Sequence, residues 1–153
     1  MKILLLDDKP DTLSSIAKSI IDNTVHDVLR CSSITRAKQV MLQDSQTSDE
    51  ASKISIIITD LNMSFVGLTL EQEALTYGSK LSGWIWLVHH VYNNPQNEKI
   101  KTIIYSEFIT TLEGHIRNAA NIEKYIFDQV SRVRKSSSVS GHEVLLKEID
   151  KIV

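Results

Sequence analysis

A doubly wound α/β fold, a parallel sheet with helices on both faces, follows from three observations. Ile54 to Thr59 reads Ile-Ser-Ile-Ile-Ile-Thr, an apolar run typical of a strand buried on both faces, and Asp60 follows it. Lys2 to Leu6 has the same form and runs into Asp7-Asp8. Beyond each run, strand-like segments alternate with amphipathic helical ones, the order expected of strands joined by helical crossovers. Two such strands ending side by side would bring Asp7, Asp8 and Asp60 to the carboxyl edge of the sheet, where open α/β sheets bind ligands. An acid after a strand is also an ordinary turn residue. Its repetition on two strands favours a site.

Each element has a local reason. Pro10 suits the first turn of a helix whose stripe is Leu13, Ile16, Ala17, Ile20 and Ile21, with Asn23 as a stop. Asp27 to Cys31 is a short second strand. Ser32 or Ser33 caps a helix with Ile34, Ala37, Val40 and Met41 on one side. Gln43 to Lys53 is polar and reads as a loop. Residues 64–82 are too apolar for a linker, with Phe65, Val66, Leu68, Leu70, Leu75 and Tyr77, and a short helix is expected around Leu70 to Tyr77. Gly83 opens a helix from Trp84 to Asn93, ended by Asn93-Asn94-Pro95. Lys101 to Tyr105 is the fourth strand and stops at Ser106. The face Ile109, Leu112, Ile116, Ala119, Ile126 and Val130 follows, with a break near Asn121. Ser131 to Lys135 reads as strand five, 136–141 as a Ser-rich loop, and Glu143 to Ile152 as a helix with Val144, Leu145, Ile149 and Ile152 inward.

Composition narrows the function. The 153 residues are one domain's worth, so 1–153 is expected to be a single unit. A formal net charge of −2 gives no electrostatic ground for nucleic acid or an anionic membrane. No apolar run is long enough to span a bilayer. The single Cys31 excludes an internal disulfide and fits a reducing, cytoplasmic setting; its simplest role is a small core residue. His89 and His90 are helix neighbours that face different ways, a poor metal pair. Trp84 and Trp86 read as packing.

Leu-Leu-Leu-Asp-Asp at 4–8, Thr-Asp-Leu-Asn-Met at 59–63, Gly83 opening a helix and Ile-Ile-Tyr-Ser at 103–106 occur in an order that resembles the receiver domain of two-component response regulators, over nearly the whole chain. The resemblance implies a five-stranded flavodoxin-like sheet in the order 2-1-3-4-5. It makes Asp60 the phosphoacceptor, Asp7 and Asp8 the acidic pair holding Mg²⁺ (Asp8 the more direct ligand), and Asn62 a further ligand through its backbone carbonyl. Ser106 becomes the switch hydroxyl. The implied donor is a phosphohistidine on a histidine kinase or phosphotransfer protein, with a downstream protein target and homodimerisation left open. Any enzymatic activity would be at most self-phosphorylation and self-dephosphorylation.

Three features depart from the family pattern. Ser64 stands where a proline usually follows the methionine. The interval from Asp60 to Gly83 is longer than usual, so 64–82 reads as an insertion between strand three and helix three. The lysine expected at the end of strand five has two counterparts. The usual spacing from Ser106 lands on Asp128; a longer preceding helix delivers Lys135, which we prefer because the last helix starts soon after it.

The chemistry explains the residue types. Carboxylates sharing one crevice repel unless a cation joins them, and Mg²⁺ prefers oxygen ligands. A lysine ammonium then balances charge on a transferring phosphoryl group. A pseudo-receiver that binds protein without phosphorylation is the alternative, and another Mg²⁺-dependent phosphotransferase or phosphatase is a third. For Ser106 the plainer role is a helix cap, and for Lys135 a solvated base in Arg-Val-Arg-Lys.

Overall fold

The computed structural model describes residues 1–135 and 140–153. Five strands form one parallel sheet in the order β2-β1-β3-β4-β5: β1 Lys2–Leu6, β2 Asp27–Cys31, β3 Ile54–Thr59, β4 Lys101–Ser106 and β5 Ser131–Arg134. This is the order that the receiver resemblance implies. The helices are α1 Pro10–Asn23, α2 Ile34–Ser45, α3 Leu70–Glu73, α4 Ser82–Trp86, α5 Ile109–Arg117, α6 Asn121–Gln129 and α7 Ser140–Ile152.

Period-two alternation divides the core into two layers. Ile3 and Leu5 of β1, Ile56 and Ile58 of β3, and Ile103 and Tyr105 of β4 face α1 and α7. Leu4, Leu6, Ile57 and Ile104 face α2, α4, α5 and α6. Ile54 and Ile57 share a face although they are three apart, because the β1–β3 register skips Ser55 between its first two pairs. That bulge lets four isoleucines serve both layers.

The helices follow their stripes with local corrections. Leu13, Ile16, Ala17 and Ile20 fill the α1 contact, while Ile21 is 53% exposed at the edge of the stripe. In α7, Leu145 and Ile149 are buried one turn apart, and Val144 is 55% exposed on the flank. The segment read as a loop from Gln43 is helical through Ser45, because the buried Asp44 carboxylate accepts the Ile54 N–H at 2.9 Å and draws the helix end toward β3. Ser33 is the α2 cap and accepts from the Arg36 N–H at 3.1 Å. The helical stretch after Phe108 is two helices, with the break before Asn121 where the sequence placed it. Helix α7 begins at Ser140, three residues before Glu143, and 136–139 of the expected Ser-rich loop lie outside the described residues. The helix after Gly83 is α4 followed by a π turn over Leu87–Val91, where the Tyr92 N–H bonds the Leu87 carbonyl at 2.9 Å.

Residues 64–82 are anchored at several points. The α3 turn is shorter than expected and carries a capping box, Thr69 with Gln72. Lys38 Nζ donates to the Gly67 carbonyl at 3.0 Å, and His90 Nε2 meets Gln72 Oε1 at 3.0 Å. Gly67 has φ +103°, and a Cβ there would stand 2.7 Å from Thr35 Oγ1. Of the apolar residues that suggested packing, Phe65, Val66, Leu70, Leu75 and Tyr77 remain exposed. Buried Leu81, part-buried Leu68, hydrogen bonds and close backbone approach hold the segment instead.

Gly83 joins this segment to the end of β3. Its N–H donates to the Leu61 carbonyl at 3.0 Å, and a Cβ on it would lie 1.9 Å from the Asp60 carbonyl oxygen. Backbone cannot yield as a flexible side chain can, so Gly83→Ala is expected to destabilise the fold by about 2 kcal/mol or more. A urea denaturation midpoint equal to wild type would show that α4 shifts without cost.

Candidate functional site

Strands β1 and β3 lie side by side at the centre of the sheet, and their ends align. The Asp7 N–H bonds the Cys31 carbonyl and the Asp60 N–H bonds the Leu6 carbonyl, each at 3.1 Å, so both acids prolong the ladder past the last strand residue. Asp7 is 1% exposed and Asp60 5%. Buried carboxylates need partners, and here each oxygen has one. Asp7 Oδ1 accepts from the Lys9 N–H at 2.9 Å. Asp60 Oδ1 accepts from the Leu61 N–H at 2.6 Å and the Asn62 N–H at 3.3 Å. The remaining oxygens share one cation: Lys135 Nζ donates to Asp7 Oδ2 at 2.7 Å and to Asp60 Oδ2 at 2.8 Å.

Lys135 arrives one residue past β5. Its N–H donates to the Ser106 carbonyl at 3.0 Å, continuing the β4–β5 ladder, and its stem crosses β4 with Nζ 5.5 Å from the Tyr105 ring. Only 10% of the side chain is exposed. Burial works against the ammonium, but the charges and hydrogen bonds of Asp60 and Asp7 outweigh it and raise the Lys135 pKa. Asp128, the other counterpart of the expected lysine, is exposed on α6, beside Glu113, Arg117 and Lys124 in a groove between α5 and α6. The structure brings Lys135 to the two acids.

The other predicted residues take separate positions. Asp8 is half-buried, and its Oδ2 accepts from the Ser64 N–H at 2.9 Å. Among the described residues, no three His, Cys, Asp or Glu side chains form a metal-binding group, so the expected three-acid convergence is two acids and a lysine here. Asn62 is half-buried, with Oδ1 accepting from Ser79 Oγ at 3.1 Å. Ser106 is fully buried, and its Oγ accepts from the Phe108 N–H at 3.1 Å, a turn that leads into α5. A cleft of about 590 Å³ opens beside the acids, lined by Asp8, Lys9, Asn62, Met63, Ser64 and Ser79 among others.

Several polar groups around the site carry no local sequence signal. His142 of α7 joins Ser15 of α1 and Tyr105 of β4, with 3.1 Å at each nitrogen. Burial, and then the Lys135 charge, lower its pKa. Glu123 of α6 accepts from Trp84 Nε1 at 2.8 Å and meets His115 Nε2 at 2.8 Å, and His115 Nδ1 lies 3.3 Å from the Tyr77 hydroxyl. The residues of these networks come from different elements, and only the chain path joins them.

The fold is the receiver fold. A phosphorylated cyanobacterial phytochrome response regulator, RcpA, superposes with a TM-score of 0.64 at 18% identity, over 98% of this chain and 91% of that one. A response regulator from Desulfuromonas acetoxidans gives 0.59 at 16% identity, over 99% and 98%. The Mn²⁺-bound form of the response regulator Rcp1 gives 0.60 at 17% identity, over 98% and 91%. No protein-family model matches the sequence, and no curated protein matches it.

The ion pair sets a pH signature. A lysine pKa raised by folding contributes stability that is complete below the ordinary value of 10.5 and lost as pH rises through the raised one. Lys135→Met, which leaves two buried carboxylates without their cation, is expected to lose about 3 kcal/mol at pH 7. The gap to wild type should stay constant up to the ordinary lysine range and narrow above it. Urea titrations at several pH values test this, and a gap that does not narrow above that range would remove the ion pair as its source.

Proposed function

We propose that this chain is a receiver of two-component signalling, accepting a phosphoryl group on Asp60 from a phosphohistidine donor. One observation carries the reading: the Lys135 ammonium joins buried Asp7 and Asp60 at the carboxyl edge of the two central strands. The residues fit a divalent cation. The carboxylates of Asp7, Asp8 and Asp60 offer oxygen donors, and these three acids outnumber the one Lys135 ammonium that joins two of them. Asp7, Asp8, Asp60 and the Asn62 carbonyl would hold Mg²⁺. Bound Mg²⁺ would supply a positive charge next to the phosphoryl oxygens.

The chain's own groups do the rest. An Asp60 carboxylate oxygen attacks phosphorus as the phosphorus–nitrogen bond of the donor breaks and its imidazole leaves, forming an acyl phosphate. Lys135 turns part of its charge from Asp60 to the new phosphoryl oxygens. Among the described residues the Ser106 hydroxyl accepts from the Phe108 N–H, which leaves its own hydrogen for a donor role. Rotation toward the phosphoryl group would pull on the start of α5. Residues 64–82, read as an insertion, supply part of the cleft through Ser64 and Ser79. The proposed partner is a histidine kinase or phosphotransfer protein, and the cleft beside Asp8 is where its phosphohistidine would enter.

A second reading has its own observation. Asp8 is held by the Ser64 N–H and, among the described residues, forms no metal-binding group with the other two acids. That arrangement suits a protein-binding module that works without phosphorylation.

Acetyl phosphate with Mg²⁺ decides between them. Wild type is expected to take one hydroxylamine-labile phosphoryl group, detected by intact mass. Asp60→Asn should take none, and Asp8→Ala should label far more slowly. Labelling that survives Asp60→Asn would remove Asp60 as acceptor, and an unlabelled wild type would favour the second reading.

A further inference from the structure

Ser79 has no counterpart among the motifs that suggested the site, yet it lines the cleft. We propose that Ser79 is a positioning residue, which clamps the Asn62–Met63 loop so that the Asn62 backbone carbonyl is presented to a cation held by Asp8 and Asp60. The clause about the cation rests on the receiver reading; the clamp itself does not.

The backbone around Ser79 is unusual. Tyr77, Gly78 and Ser79 have φ of 53°, 65° and 78°, three consecutive residues in the left-handed region. Non-glycine residues enter that region at a penalty of about 1–2 kcal/mol, normally one at a time, and persist there where surrounding contacts fix them. Those contacts are present. The Ser79 N–H donates to Thr76 Oγ1 at 3.2 Å. The Ser79 carbonyl accepts from Ser82 Oγ at 2.9 Å, from the Ser82 N–H at 3.2 Å and from the Met63 N–H at 3.4 Å. Thr76 and Ser82 are fully buried, so the turn is anchored from beneath.

The hydroxyl has a distinct task. Glycine would adopt this backbone without strain. Serine adds one group, and that group donates to Asn62 Oδ1 at 3.1 Å. The loop is therefore held on one side by Ser79 and on the other by the bond from the Ser64 N–H to Asp8. Between these two points lie the Asn62 carbonyl and Met63. When Asp8 turns from Ser64 to a cation, the backbone bonds to Asp60 Oδ1 hold the loop at Leu61 and Asn62, and Ser79 is the contact that holds the Asn62 side chain and the Met63 N–H.

Two variants separate strain from hydroxyl. Ser79→Gly removes both. Ser79→Asn keeps a hydrogen-bonding side chain and tolerates the left-handed region better than most residues. In the metal-free protein, the Asn62 side-chain amide resonances are expected to shift in Ser79→Gly, while urea stability holds or rises. Mg²⁺ alone, titrated by NMR, should bind Ser79→Gly about fivefold more weakly, the effect of one lost hydrogen bond, and Ser79→Asn should recover most of the affinity. Unchanged Asn62 resonances would overturn the clamp, and so would a Ser79→Gly protein that fails to fold. Wild-type binding of Mg²⁺ with equal affinity in Ser79→Gly overturns the inference and leaves the receiver reading standing. If wild type binds no Mg²⁺, the receiver reading and the cation clause fall together, and the Asn62 resonances still judge the clamp.

Discussion

The Lys135 ammonium between Asp7 and Asp60 is the contact on which the carboxyl edge of this sheet depends. It ties the ends of β1 and β3 to the end of β5 although β4 lies between them. Hydrogen bonding within the sheet can join only neighbouring strands, whereas a long flexible side chain can cross one. The arrangement is held by geometry on both sides: backbone N–H groups occupy the other carboxylate oxygens, and the Ser106 carbonyl fixes the Lys135 backbone. A buried ion pair is weak evidence for stability in itself, because desolvation opposes much of the attraction. Its value here lies in fixing two buried carboxylates side by side at the carboxyl edge, next to the cleft that Asp8 lines.

The same lysine connects the site to the helices. Its charge acts on His142, which bridges α1 and β4, and its stem passes the Tyr105 ring, whose hydroxyl meets His142. On the opposite layer, Ser106 leads into α5, where His115 meets Glu123 of α6 and Tyr77 of the 64–82 segment. The edge where Asp60 lies is thus joined to polar contacts on both sides of the sheet.

The 64–82 segment shows how a chain can cross a site without adding much core. Leu81 is its fully buried apolar residue and Leu68 packs part-buried on the core, while much of the remaining attachment is polar or backbone. Gly67 against Thr35 and Gly83 against Asp60 are positions where a missing Cβ permits contact. Such a segment follows the site closely, because its bonds are to Asp8, Asn62 and Met63 themselves.

The amino-acid sequence determined the strands and where they end. Runs such as Leu4–Leu6 and Ile56–Ile58 are local patterns, and the acids that follow them had to lie at one edge once both strands joined a parallel sheet. The main amphipathic helices were legible for the same reason, apart from stripe-edge residues such as Ile21 and Val144, whose exposure depends on how far the neighbouring layer extends. The cation beside the acids was legible as a preference for Lys135, drawn from the nearness of the last helix. The usual spacing from Ser106 pointed to Asp128 and a longer preceding helix to Lys135, and the α5–α6 break, the short β5 and the β4–β5 register decided between them. The sequence could not assign Asp8 to the Ser64 N–H or Ser79 to Asn62. Those pairings join residues 56 and 17 positions apart. Contacts of that kind are set by the path of the whole chain, and only the tertiary structure specifies it.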